Sequence, residues 1–392
     1  MGHDRGEAGL TAVATTPVLR EDAVAVRDLF SFLRDLGLDC DVNPCAAALG
    51  VLATDPRDTE DFLRQLGVTA ALGNLIGVPE HEVKATCVVH DTRVTGSPDD
   101  LAEVTTAYHN TRPLGLDEAV HVAFWPHDDG RHLVFAKFNH MVVDLADVVA
   151  LLGQLRAHLR GEPVKRPGSR YRDHSGMLAR FAALPAADPE VVQRELGALP
   201  TPGRPGVPTI SGSSERWLLL RPGLSFDDLL AAVTATVLRV VGGGLVLQYP
   251  FSRWDFARRG GYFVEIRPLV VHRERAGEYT PEHFAATRAR LEGLGRYTMS
   301  DLTAFATAFS RGRMPRIVVS DTTFMRPEPR DWDWVRVRSD RVFEDLKFLA
   351  DRSFPGPPLM KLQYKSRFIG EDTVAVVLSE LEQRIGALRA TA

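Results

Sequence analysis

Asn139-His140-Met141-Val142-Val143-Asp144 is the stretch of this chain best equipped for chemistry. It lies within Phe135–Leu152 (FAKFNHMVVDLADVVALL), where an alternating strand-like run gives way to an apolar-periodic helix. His140 thus leaves a strand, and Asp144 follows it by four residues. A neutral imidazole near pH 7 can take a nucleophile's proton or hold the nucleophile in line, and such help is worth about 10²–10⁴-fold. Alone, H-x-x-x-D says little. With twelve histidines in the chain, chance supplies roughly one copy, and a lone histidine at a strand end is more often a plain surface or core residue. The surrounding elements have to carry the argument.

Those elements alternate between helix and strand. Helical spacing predicts a helix over Ala23–Leu36, stopped by Gly37, and further helical pieces over Asp58–Leu66 and Thr69–Ile76. A strand is expected over Val83–His90, then a loop through Thr111–Asp117. A hairpin follows, Val120–Trp125 and His132–Phe138, turned by Asp128-Asp129-Gly130. The helix Asp144–Leu159 closes the first half. Residues 161–214 are rich in Pro, Gly and Arg, with helical stretches at Tyr171–Phe181 and Pro189–Leu196, and read as a long crossing segment. In the second half, strands are expected at Trp217–Leu220, Gly244–Tyr249, Gly261–His272, Arg316–Ser320, Val335–Phe343, Leu346–Ala350 and Met360–Lys365. Helices are expected at Ser225–Val240, Pro281–Glu292 and Gly370–Leu388. The chain divides into an N-terminal lobe, 1–165, a crossing segment, 166–214, and a C-terminal lobe, 215–392. Both lobes are mixed α/β with mainly hairpin-like connections.

Bulk properties narrow the function. At 392 residues two domains of similar size are the natural expectation. A hydrophobic fraction of 44% with 25% charged residues is that of an ordinary globular protein. The net charge of −4 gives no reason to expect nucleic-acid or anionic-membrane binding. Cys40, Cys45 and Cys87 form no C-x-x-C pair, so neither a disulfide framework nor a metal site is indicated, and Cys87 reads as a small buried hydrophobe. The N-terminus lacks the apolar core of a secretory signal. The most apolar long segment, Leu229–Tyr249, is broken by Arg239 and three glycines, and reads as helix, turn and strand. A cytoplasmic protein is expected. Gly242-Gly243-Gly244 is most simply a turn, since no P-loop lysine follows, and Trp125 and Trp254 read as core.

Five pieces in order resemble the condensation domains of nonribosomal peptide synthetases and, more distantly, the chloramphenicol-acetyltransferase-like superfamily. Asn139–Leu145 stands at the HHxxxDG motif. Tyr171-Arg172-Asp173-His174 resembles the aromatic-Arg-Asp element after the site helix, and Tyr249-Pro250-Phe251-Ser252-Arg253 the strand-end arginine motif. Gly261–Leu269 (GYFVEIRPL) resembles the VGxFVNTLPL strand, and Leu362 through Phe368 the typical ending before a final helix. The likeness starts near Thr111.

The resemblance implies two chloramphenicol-acetyltransferase-like lobes in a V with a central tunnel, and a monomer. It needs no cofactor of its own: donor and acceptor enter as free molecules or on a phosphopantetheine arm, from a carrier protein or CoA. It makes His140 the catalytic residue, as base or as positioning group. It pairs Asp144 with Arg253 as a structural ion pair, a role compatible with Asp144 capping the helix. Tunnel-lining candidates are Asn139, at the first histidine; Leu145, at the glycine, where a leucine narrows the space; Glu265, at the asparagine; and Ser320. Glu265 either attracts a cationic acceptor or faces solvent. Arg156, Arg160 and Arg172 are candidates for a basic patch that receives a carrier protein. Three readings result: a condensation-like acyltransferase joining a carrier-bound acyl or aminoacyl thioester to an amine or hydroxyl; an acyl-CoA-dependent small-molecule acyltransferase; and a non-catalytic carrier-binding module.

Overall fold

The computed structural model describes residues 19–27, 45–164, 166–208, 211–220, 223–253, 256, 259–297, 299–321, 337–339, 341–351 and 358–387. In the first half, β1 (Cys45–Leu52) is followed by α1 (Thr59–Gln65), α2 (Val68–Ile76), β2 (Lys84–Val89) and α3 (Pro98–Thr111). The hairpin β3 (Glu118–Pro126) and β4 (His132–Phe138) then leads into α4 (Leu145–Leu159). The four strands form one sheet in the order β1-β4-β3-β2, antiparallel except for the parallel β2–β3 edge.

The hairpin shows how the sequence builds this sheet. On β3 and β4, Val120, Val122, Phe124, Val134, Ala136 and Phe138 face the main core, which α1, α2 and α4 cover. The alternate residues Ala123, Trp125, Leu133 and Phe135 face a smaller core on the other side, together with Leu101 of α3. Period-two alternation here separates two buried faces rather than core from solvent. Helix α3 covers the second face. The sequence reading has no helix there because α3 is mostly polar, with only Leu101 and Thr105 buried. Its start is nevertheless written in Ser97-Pro98-Asp99-Asp100: Ser97 accepts the Asp100 N–H, the Asp100 carboxylate returns to the Ser97 N–H, and proline holds the first helical position.

After α4 come α5 (His174–Ala182), α6 (Pro189–Leu196) and the second half. That half comprises β5 (Ser211–Leu219), α7 (Phe226–Val240), β6 (Leu245–Ser252), β7 (Val264–Val271), α8 (Pro281–Gly293), α9 (Thr303–Ser310), β8 (Ile317–Asp321), β9 (Arg341–Val342), β10 (Leu346–Asp351), β11 (Leu359–Lys365) and α10 (Glu371–Ala387). Its seven strands are ordered β7-β6-β8-β10-β11-β5-β9. The pairs β6–β8 and β8–β10 are parallel, so the expectation of mainly hairpin-like connections holds only for β6–β7 and β10–β11 here. Strand β1 and helix α9 join α3 as elements absent from the sequence reading. The expected helix Ala23–Leu36 is described only at its start, and the expected strand from Val335 only from residue 337 on.

The chain changes core between Phe181 and Ala187. The first core therefore extends beyond residue 165 and takes in Tyr171, Met177, Leu178 and Phe181. It also receives Phe256, Tyr262 and Phe263 from the second half, where Phe256 meets Phe181 edge-on at 5.1 Å. Among the described residues no helix is long and apolar enough to cross a membrane.

Candidate active site

The loop after β4 is shaped by Asn139. Its backbone N–H donates to the Ala119 carbonyl (2.9 Å) and its side-chain amide donates to the Glu118 carbonyl (3.2 Å). Its side-chain oxygen accepts the Met141 N–H (3.0 Å), and its carbonyl accepts the Val142 N–H (3.1 Å). The residue is fully buried. Asn139 thus pins the turn to β3 rather than lining a tunnel, because every hydrogen-bonding atom of its amide is spent on backbone.

That turn delivers His140, which remains partly accessible. Its Nδ1 lies 2.7 Å from the Val143 carbonyl, an acceptor only, so Nδ1 carries the proton and Nε2 the lone pair. Burial pushes the imidazole down to about 4. The Val143 hydrogen bond opposes that shift, the Lys347 ammonium adds to it and the Glu344 carboxylate opposes it. At neutral pH the ring is uncharged. Tyr262, from the second half, stands edge-on to it with centroids 5.0 Å apart. Glu344 and Lys347, a further pair from the second half (3.3 Å apart), supply the nearby charges. His140 therefore sits where the two halves meet.

Asp144 caps α4. Its carboxylate accepts the Asp147 N–H at 2.8 Å, and Asp147 returns to the Asp144 N–H at 3.4 Å. Asp147, with no exposure, also accepts Arg170 Nε (2.8 Å) and the backbone N–H of Gly261 (2.9 Å), and it lies 2.7 Å from Arg170 Nη2. Gly261 has φ +137°, and a Cβ there would stand 2.6 Å from the Phe263 ring and 3.0 Å from His174, so only glycine fits.

Arg253, expected opposite Asp144, is held by Glu265 instead, Nε to Oε1 at 3.3 Å. Glu265 has no exposed side-chain surface. Its other oxygen takes Arg267, which is fully buried, donates to the Leu291 (3.0 Å) and Gly295 (2.8 Å) carbonyls, and lies between the rings of Phe251 (4.3 Å) and Tyr297 (4.4 Å). Glu265 therefore does not face solvent, and its two oxygens are taken by Arg253 and Arg267. The reason lies two residues along the strand, where Arg267 stands at the leucine of the VGxFVNTLPL pattern, on the same face as Glu265. The buried anion brought its own cation, and Arg253 joined them.

The other candidates are placed as follows. Ser320 is half-buried near the end of β8, beside Leu349 of β10. Leu145 opens α4, but its side chain lies outside the described residues, as does Trp254. Arg172 is exposed, while Arg160 is bound to Glu162 at 2.8 Å. Cys87 is half-buried, and burial pushes its thiol up to about 11.

No protein-family model matches the chain, and no curated protein does. Solved structures do. The first condensation domain of the calcium-dependent antibiotic synthetase, in complex with a substrate analogue, superposes with TM-score 0.64 at 17% identity over 94% of this chain and 95% of that one. The starter condensation domain of rhizomide synthetase gives 0.57 at 15% over 96% and 97%. SgcC5 from Streptomyces globisporus, in complex with a naphthyl-ethanediol and sucrose, gives 0.59 at 15% over 88% and 93%. The chain has the condensation-domain fold. Within the condensation-domain fold, Asp147, Arg170, Glu344 and Lys347 escaped the sequence reading. Asp147 had a signal, the D-x-x-D spacing of a capping pair; the others gather only through tertiary structure.

Proposed function

We propose that this protein is a condensation-type acyltransferase that joins a carrier-bound acyl or aminoacyl thioester to an amine or hydroxyl acceptor. The acceptor's nitrogen or oxygen attacks the thioester carbonyl carbon, forming the new C–N or C–O bond. Its proton passes to His140 Nε2. The C–S bond then breaks, and the proton returns to the sulfur of the phosphopantetheine arm as a thiol. His140 acts as this base or as the group that holds the acceptor in line, where effective molarity contributes more than proton transfer alone.

One observation carries the reading: an imidazole kept neutral, fixed through Nδ1–H on the Val143 carbonyl, where the two halves meet. The donor's carrier protein acts as a partner, with exposed Arg172 as a contact candidate, and CoA is the alternative bearer of the same arm. The test is a mass-spectrometric transfer assay with acyl-loaded carrier protein and acyl-CoA, offered a pool of amines and alcohols. Wild type should transfer from the carrier-bound donor, and His140→Ala should lose about 10²–10⁴-fold. Preference for CoA moves the protein to the small-molecule branch. Carrier binding without consumption of any donor makes it a recruitment module.

A further inference from the structure

We infer that Asp147 is a positioning residue for His140, acting across the junction of the two halves through Gly261 and Tyr262. Its kinetic consequence rests on the acyltransferase reading; its structural consequence does not. Asp147 belongs to the same turn of chain as His140, seven residues on at the start of α4. The carboxylate meets three separate segments: the Asp144 N–H at the helix start, Arg170 before α5, and the Gly261 N–H from the second half. Tyr262 follows Gly261 directly, and its ring is the one standing edge-on to His140 at 5.0 Å. One buried carboxylate therefore fixes the backbone beneath the catalytic loop and the backbone that carries the aromatic wall against it.

Chemistry favours a carboxylate here. Three N–H groups from three segments donate to its two oxygens, with Arg170 Nη2 close by as a charge, and a hydroxyl with two lone pairs could not accept all three. Arg170 offsets part of the cost of burying the charge, although burial still pushes the carboxyl up from its ordinary range. The backbone can hold this position because residue 261 is glycine, since a Cβ there would strike Phe263 and His174. The resulting frame keeps Tyr262 packed against the imidazole and helps to exclude water from it. Other groups bearing on the ring include Lys347 in β10, Glu344 just before it, and the Val143 carbonyl.

The decisive experiment follows the His140 ring by NMR titration in wild type, Asp147→Ala, Asp147→Asn and Tyr262→Ala, with circular dichroism establishing that each variant is folded. Loss of Asp147 should let Tyr262 withdraw and water approach. The His140 midpoint in Asp147→Ala should then rise from about 4 toward the ordinary 6.5. Tyr262→Ala should produce the same rise with Asp147 intact, which keeps the test open if Asp147→Ala does not fold. Asp147→Asn keeps one acceptor oxygen for the Gly261 and Asp144 N–H groups but sets an NH2 against Arg170, so its midpoint should move less than that of Asp147→Ala. In turnover, Asp147→Ala should lower kcat on the order of 10²-fold with KM little changed, as a misplaced catalytic group does. A folded Asp147→Ala whose His140 midpoint stays put overturns the inference and leaves Asp147 a helix cap. So does a Tyr262→Ala protein in which the midpoint does not move. Neither result touches the acyltransferase reading, which His140→Ala tests separately.

Discussion

Replacing Arg267 with leucine should destabilise this protein severely, and replacing Glu265 with asparagine at the same time should restore much of what was lost. Glu265 and Arg267 have no exposed side-chain surface. Arg267 provides two donors to Glu265, fills two backbone carbonyls and lies between two aromatic rings. Without it, Glu265 keeps only the single 3.3 Å contact from Arg253, which is 24% exposed. Removing one partner of a buried pair costs about 3–5 kcal/mol because the other charge stays behind unpaired. At about 1.2 °C per kcal/mol for a chain of this size, Arg267→Leu should lower Tm by roughly 4–6 °C. Glu265→Asn should cost less, since Arg267 retains the Leu291 and Gly295 carbonyls. The double variant removes both charges and leaves Arg253 near solvent, and neutral replacement of buried pairs is often without net cost. The cycle should therefore show coupling of about 3 kcal/mol, read from thermal unfolding of the four proteins side by side. If the double variant loses the sum of the two single losses, the two side chains are independent and the reasoning fails.

Three further outcomes are expected. Because His140 has its midpoint near 4, below the ordinary histidine value, the reactive neutral ring persists as pH falls; transfer should hold from pH 7 to 5 and decline only toward 4. His174, buried and also pushed down to about 4 by burial, stays neutral in the folded protein while the unfolded chain takes up its proton below about 6.5. Stability should therefore fall between pH 6.5 and 4 in acid unfolding curves, and His174→Gln should flatten that fall. Gly261→Ala combines φ +137° with contacts at 2.6 and 3.0 Å, so it should cost about 1–3 kcal/mol or more in denaturant unfolding, and a variant as stable as wild type would contradict this geometry.

Local chemistry made much of the fold legible. The hairpin was readable because Asp-Gly separates two alternating runs, and α4 because Asp144 precedes an apolar period. Helix α3 was not, since it buries few apolar side chains and its evidence is capping alone; β1 was missed because CAAALGVL carries no strand-specific alternation. His140 stood out through its motif, yet its environment did not: Tyr262, Glu344 and Lys347 are more than a hundred residues away in sequence. The contact of Arg253 with Glu265 is hidden in the sequence for a related reason. The motif suggested a partner, whereas the charge balance was set by Glu265 and Arg267, two neighbouring departures from the pattern that matter only when read together.

The passage of Phe256, Tyr262 and Phe263 into the first core also bears on biosynthesis. A chain growing from its N-terminus completes β4, α4 and α5 about 80 residues before Phe263 emerges. At ~5–20 residues per second, the nascent first half must wait on the order of ten seconds with an apolar notch open to water. The first half is then not a separable unit, and a product truncated before the second sheet should depend on chaperones rather than accumulate as a folded fragment.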